Sequence, residues 1–154
     1  MDGCIISVSN APGNLEMTAN ILENDAMGRQ AYNGQNTVAI IEDEPDLVDV
    51  YVRLCTLKNL RIAFIAYNGS QAVEIFKKGP LPDIILIDHR MPNMTGIMAM
   101  KKMLEINPYA KFIFLSADEE VQDEALREGA RAFMKKPTSL MEIYAMILKV
   151  LDQP

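Results

Sequence analysis

The chain has 154 residues, 49% hydrophobic and 23% charged, the proportions of an ordinary folded domain long enough for one sizeable core. Its 15 Lys and Arg against 21 Asp and Glu give a net charge of −6, which argues against unaided wrapping of nucleic acid or an anionic membrane. Two cysteines (Cys4 and Cys55), no apolar run near the ~18 residues of a membrane helix and no signal-like leader exclude a disulfide framework and lead to the expectation of a cytoplasmic, single-domain protein.

Residues 1–36 hold four acids (Asp2, Glu16, Glu23, Asp25) against one base (Arg29), with turn formers at 10–14 and 33–36. Leu15, Ala19 and Leu22 share one face of a short helix over 15–27, marginal in water without a packing partner. The segment reads as a poorly ordered or loosely docked N-terminal arm, with a strand over 4–8 as the alternative. From residue 37 the pattern becomes regular. An apolar run over 38–41 suits a strand buried on both faces. Pro45 then opens a helix in which Leu47, Val48, Tyr51, Leu54 and Cys55 recur at helical spacing. Four more strand-helix pairs follow: strand 62–66 with helix 70–78, strand 84–87 with helix 95–106, strand 112–115 with helix 119–128, and strand 132–134 with helix 139–151. Gly79-Pro80, Asn107-Pro108 and Gly129 mark stops, and Leu140, Ile143, Tyr144, Ile147, Leu148 and Leu151 form one stripe along the last helix.

Five strand-helix units over 37–154 predict an α/β fold, a doubly wound five-stranded parallel sheet with helices on both faces. In such sheets ligands bind beyond the carboxyl ends of the strands, at the point where strand order reverses. The residues just after the strands are therefore the candidates: Glu42, Asp43 and Glu44 after the first, Asp88 after the third, Ser116 after the fourth and Lys136 after the fifth. Carboxylates converging at one rim raise one another's pKa unless a cation lies between them. Hard oxygen donors in that number suit Mg²⁺, which keeps waters and shares positions with phosphate. A hydroxyl and an ammonium opposite them complete a site for phosphoryl transfer onto an already ionised Asp.

The segments Ile40-Ile-Glu-Asp-Glu-Pro-Asp46, Pro82-Asp-Ile-Ile-Leu-Ile-Asp-His-Arg-Met-Pro-Asn-Met-Thr-Gly96, Leu115-Ser-Ala117 and Phe133-Met-Lys-Lys-Pro137 resemble the receiver domain of two-component response regulators. The resemblance runs from Thr37 to about Leu151 and implies the flavodoxin-like (βα)5 receiver fold. It implies that Asp88 accepts a phosphoryl group from a histidine-kinase phosphohistidine or a phosphotransfer protein. Glu42 and Asp43 would hold Mg²⁺ together with Asp88 and the main-chain carbonyl of Arg90. Lys136 would bind the phosphoryl oxygens, and Ser116, assisted by the N–H of Ala117, would hydrogen-bond them and move inward on activation. Phe133 matches the aromatic switch, and the bond before Pro137 is cis in many receivers.

Each residue also has a plainer reading. Asp88 alone would cap a helix, Glu42 to Glu44 would form an acidic helix start, and Ser116 would open the next helical turn. Glu44 is left as a helix-start residue, Lys135 as an exposed base and His89 as a side chain shaping access to Asp88. Methionines 91, 94, 98, 100 and 103 read mostly as core, and the acids from Asp118 to Glu124 as either a solvated helix face or a partner surface. Glu42 where Asp is commoner, Arg90 two residues after the acceptor and the 36-residue arm depart from the usual pattern.

The resulting expectation is a stand-alone receiver working through protein contacts, with no direct nucleic-acid binding, no membrane insertion, and no enzymatic activity beyond self-phosphorylation and self-dephosphorylation at Asp88. A haloacid-dehalogenase-type phosphatase would need a second acid where Arg90 stands. A pseudo-receiver binding partners without phosphorylation is the remaining alternative.

Overall fold

The structure is a computed structural model that describes residues 23–24, 30–31 and 34–154. Two short strands, β1 (Glu23–Asn24) and β2 (Gln30–Ala31), pair antiparallel. At residues 23–24 the helix expected over 15–27 is replaced by extended backbone that bonds to β2 rather than to its own turn. The rest of that helix, the alternative strand over 4–8 and most of the expected arm lie outside the described residues.

Strands β3 (Thr37–Ile41), β4 (Arg61–Ala66), β5 (Ile84–Ile87), β6 (Phe112–Ser116) and β7 (Ala132–Lys135) form one sheet in the order β4-β3-β5-β6-β7, and every neighbouring pair is parallel. Helices α1 (Pro45–Leu57), α2 (Gly69–Lys78), α3 (Gly96–Ile106), α4 (Gln122–Arg127) and α5 (Leu140–Leu151) make or follow the crossovers. The alternation of side chains along each strand divides the core in two. Ala39, Ile41, Ile85, Ile87, Phe112 and Phe114 share one face with Phe76 of α2, Met100 and Met103 of α3 and Ala125 of α4. Val38, Ile40, Ile84, Leu86, Ile113 and Leu115 share the other with Val48, Leu54 and Cys55 of α1 and Ile143, Ile147 and Val150 of α5. The apolar runs are continuous because both faces are covered, and this is the doubly wound α/β architecture expected from the alternation.

Helix starts follow local chemistry. Asn68 and Thr95 accept from the main-chain N–H groups of Gln71 and Met98, and Ser139 with Glu142 forms a reciprocal capping box at α5. Two expectations are corrected. The single helix over 119–128 is instead a 3₁₀ turn, Glu119–Val121, followed by α4, because Asp118 Oδ1 accepts from Glu120 N at 3.2 Å and tightens the first turn. The stripe on α5 is narrower than its periodicity suggested: Ile143, Ile147 and Val150 are buried, whereas Leu148 is 44% exposed. Of the methionines, Met91, Met100 and Met103 are buried and Met98 is exposed, so core packing accounts for most of them.

The chain runs from β3 outward to β4 and then back across β3 to β5. That reversal opens a crevice at the carboxyl ends of β3 and β5.

Candidate functional site

Main-chain hydrogen bonds beyond the strands hold the crevice in shape. Glu42 N donates to Ala66 O at 3.0 Å, Asp88 N to Ile41 O at 3.0 Å and Lys136 N to Ser116 O at 2.9 Å. The residues that follow β3, β5 and β7 thus stay in register with the sheet, and their side chains meet over one end of it. Gly96 fixes the β5–α3 loop from below. A Cβ there would sit 2.3 Å from Asp88 O, and Gly96 N donates to His89 O at 2.9 Å, so only glycine lets α3 approach the backbone of Asp88.

Glu42, Asp43 and Asp88 each offer a carboxylate oxygen within 4.8 Å of the others. Glu42 and Asp88 are buried, Asp43 partly so. Lys136 reaches into the same group: its Nζ donates to Glu42 Oε2 at 2.7 Å and to Asp88 Oδ1 at 3.4 Å. Burial pushes the Asp88 carboxyl above the ordinary carboxylate range, against the pull of the Lys136 charge and hydrogen bond. Glu42 is also raised by burial, with Lys136 opposing and Asp88 reinforcing the shift. For Lys136 burial works to lower the pKa, but the Glu42 hydrogen bond and the charges of Asp88 and Glu42 outweigh it and raise it. One ammonium thus faces three carboxylates that repel one another, an unbalanced set of hard oxygen donors that fits Mg²⁺.

Ser116 is buried at the end of β6, and its Oγ accepts from Asp118 N at 3.1 Å. Arg90 points elsewhere than the carboxylates: its Nη2 and Nε donate to Asp118 Oδ2 at 2.9 and 3.3 Å. That contact holds the Asp118 carboxyl below its usual value. Phe133 is half-buried on β7 and packs on the core face shared with α2 to α4. His89 is half-buried beside Asp88, and among the described residues its Nδ1 is a buried polar atom without a hydrogen-bond partner. The Lys136–Pro137 bond is cis, as is Gly79–Pro80, for which the sequence carried no expectation.

Glu42, Asp43, Asp88 and Lys136 are therefore brought together as expected, with Ser116 on the adjoining strand. Glu44 precedes α1 without a side-chain capping bond, consistent with its place as a helix-start residue. Two residues escaped the sequence reading. Tyr51, assigned only to the core, lies close enough for the charges of Lys136, Glu42 and Asp88 to act on its hydroxyl, whose pKa burial raises. Asp118, read as the start of an acidic face, joins Arg90 to Ser116; its position two residues after the hydroxyl was the available signal.

Residues 38–148 match the family described as response regulator receiver domain. The chemotaxis protein CheY of Thermotoga maritima is 34% identical over 115 residues, covering 73% of this chain and 95% of the relative. CheY of Bacillus subtilis is 31% identical over 116 residues, with 73% and 96% coverage. Among solved structures, the CheX-CheY-BeF3-Mg+2 complex from Borrelia burgdorferi has a chain that superposes with a TM-score of 0.74 at 27% identity, covering 82% of this chain and 98% of that one. The fold and site define a receiver of two-component signalling. The chain belongs to the response regulator receiver domain family. Among the described residues, no helix is long and apolar enough to cross a membrane.

Proposed function

We propose that this receiver is phosphorylated on Asp88 by a histidine-kinase phosphohistidine or a phosphotransfer protein, in a Mg²⁺-dependent reaction that switches a protein-binding surface. The observation that carries the reading is the contact of Lys136 with both Asp88 and Glu42 inside the three-carboxylate cluster. An Asp88 oxygen attacks phosphorus, the P–N bond of the donor breaks, and the imidazole nitrogen leaves with the electron pair. The Asp88 carboxylate needs no proton removed from it, so the protein's work is positioning and charge stabilisation. Lys136 follows the negative charge as it spreads onto the phosphoryl oxygens, and Ser116 offers them a hydroxyl proton. Glu42, Asp43 and Asp88, with the Arg90 carbonyl, would hold Mg²⁺, which offsets the charge shared by carboxylate and phosphoryl group. Beyond the phosphodonor the chemistry stays on this chain: the aspartyl phosphate forms and hydrolyses on Asp88.

A groove beside Lys136, lined by Leu47, Val50, Tyr51, Pro137 and Leu140, gives a phosphodonor protein an apolar seat next to the acceptor. Incubation with acetyl phosphate and Mg²⁺ is expected to add one phosphoryl group by intact mass, and Asp88→Asn to abolish it. Equal labelling of both proteins overturns the assignment of the acceptor, and no labelling of the wild type favours a phosphorylation-independent interaction module.

A further inference from the structure

One ion pair joins the two loops at the rim of the site. Asp118 is held on three sides: Oδ2 by Arg90, Oδ1 by Glu120 N at 3.2 Å, and its own N–H on Ser116 Oγ at 3.1 Å. A single residue thus connects a guanidinium two positions after Asp88 to the hydroxyl that ends β6. The Arg90 side chain is 73% exposed and that of Asp118 only 17%, so arginine is the partner with room to move and Asp118 the anchored one.

A phosphoryl group on Asp88 carries a charge of about −1.5 to −2, where the free carboxylate carried a single negative charge. Two residues of chain span at most about 7 Å, a distance that an arginine side chain covers. A guanidinium grips phosphate oxygens with the same fork that grips a carboxylate. Asp118 and the phosphoryl group therefore compete for one cation.

We propose that Arg90 is a positioning residue that exchanges partners, an inference that rests on the phosphoacceptor reading of Asp88. In the resting protein it pairs with Asp118 and fixes the turn that holds Ser116. On phosphorylation it turns to the phosphoryl oxygens, and the released Asp118 lets the Ser116 hydroxyl follow. A pair this exposed is weak, so its effect on rate is bounded at roughly two- to fivefold.

The test uses the full chain in four forms: wild type, Asp118→Asn, Arg90→Gln and the double variant. Phosphorylation by acetyl phosphate in saturating Mg²⁺ at low ionic strength is followed by intact mass; the P–O bond to acetate breaks and acetate leaves. Asp118→Asn is expected to speed the reaction about two- to fivefold where Arg90 is present, and to change nothing in the Arg90→Gln background. Independently of rate, the Arg90 Nε–H resonance is expected to shift on phosphorylation of the wild type and to stay fixed in Asp88→Asn. Equal effects of Asp118→Asn in both backgrounds, or an unmoved Arg90 resonance in protein shown by mass to be phosphorylated, overturn the exchange alone. A wild type that takes no phosphoryl group overturns the phosphoacceptor reading and the exchange with it.

Discussion

Cys55 and Lys136 show how one burial penalty has opposite outcomes at two residues. Lys136 enters the sheet's end with carboxylates to meet it, and its charge survives. Cys55 is fully buried on α1 in the hydrophobic core, and burial pushes its thiol up to about 11. An unfolded thiol titrates near 8.5, so the native state resists ionisation that the unfolded chain accepts. The stability tied to Cys55 is complete below the unfolded value and is lost as pH rises from there through the folded value, up to about 3 kcal/mol. Urea unfolding at about pH 8 and about pH 10.5 is expected to show a loss roughly 2 kcal/mol larger in the wild type than in Cys55→Ala. Equal losses would mean that the thiol ionises as readily folded as unfolded. At this scale the sequence was legible where a residue's place in the site follows from its position after a strand, as for Asp43, Asp88 and Lys136. It was not legible for Arg90, because its pairing with Asp118 depends on the conformations of two loops separated by 28 residues. Tyr51 was legible only as core, since helical spacing says which face a side chain takes and nothing about the charges near its tip.

Elements differ in what holds them, and α4 and α5 are the extremes. α5 has a capping box and buries Ile143, Ile147 and Val150. α4 is six residues long and buries only Ala125. Ion pairs supplement that packing: Glu119 of the preceding turn to Lys135 at 2.8 Å and Glu128 to Lys101 at 3.2 Å, with side chains from 32% to 60% exposed. Exposed pairs are screened by salt, with a Debye length near 3 Å at about 1 M, whereas apolar packing is not weakened in that way. Raising NaCl from about 0.05 M to about 1 M is expected to speed amide exchange of residues 124–128 by about two- to fivefold relative to residues 147–151. A uniform response of both helices would show that packing alone seats α4. The same weakness explains the misreading of this segment as one helix. Periodicity marks the apolar face, but with so little apolar surface the break was decided by the Asp118 cap, which spacing does not reveal. The five strands of the parallel sheet and the other helices from α1 onward fall within one or two residues of their expected bounds because long apolar runs and helix stops determine them.

For the molecule as a whole, the two ends of β3 and β5 use carboxylates in contrasting ways. At the amino end, Asp83 Oδ2 accepts from Thr37 N at 2.8 Å and from Thr37 Oγ1 at 3.2 Å, and Asp83 N donates to Thr37 O at 3.1 Å, so the acid ties the strands together. At the carboxyl end, Glu42, Asp43 and Asp88 crowd within 4.8 Å with one lysine among them. The alternation of strands and helices made this end legible as the site before any motif did, since strand order reverses there. Its repulsion was equally foreseeable, and if a cation relieves it, global stability is expected to depend on that cation. A ligand that binds only the native state stabilises it by about 1.4 kcal/mol at tenfold its dissociation constant, or about 4 °C in Tm for a domain of this size. Mg²⁺ added to metal-free protein at that excess is expected to raise Tm by this amount. Asp43→Asn removes one of the repelling charges along with one donor, so it is expected to melt above the wild type in EDTA and to gain less from Mg²⁺. Equal Tm of the wild type with and without Mg²⁺, or an undiminished rise in Asp43→Asn, would mean that the three acids do not act as one cation site.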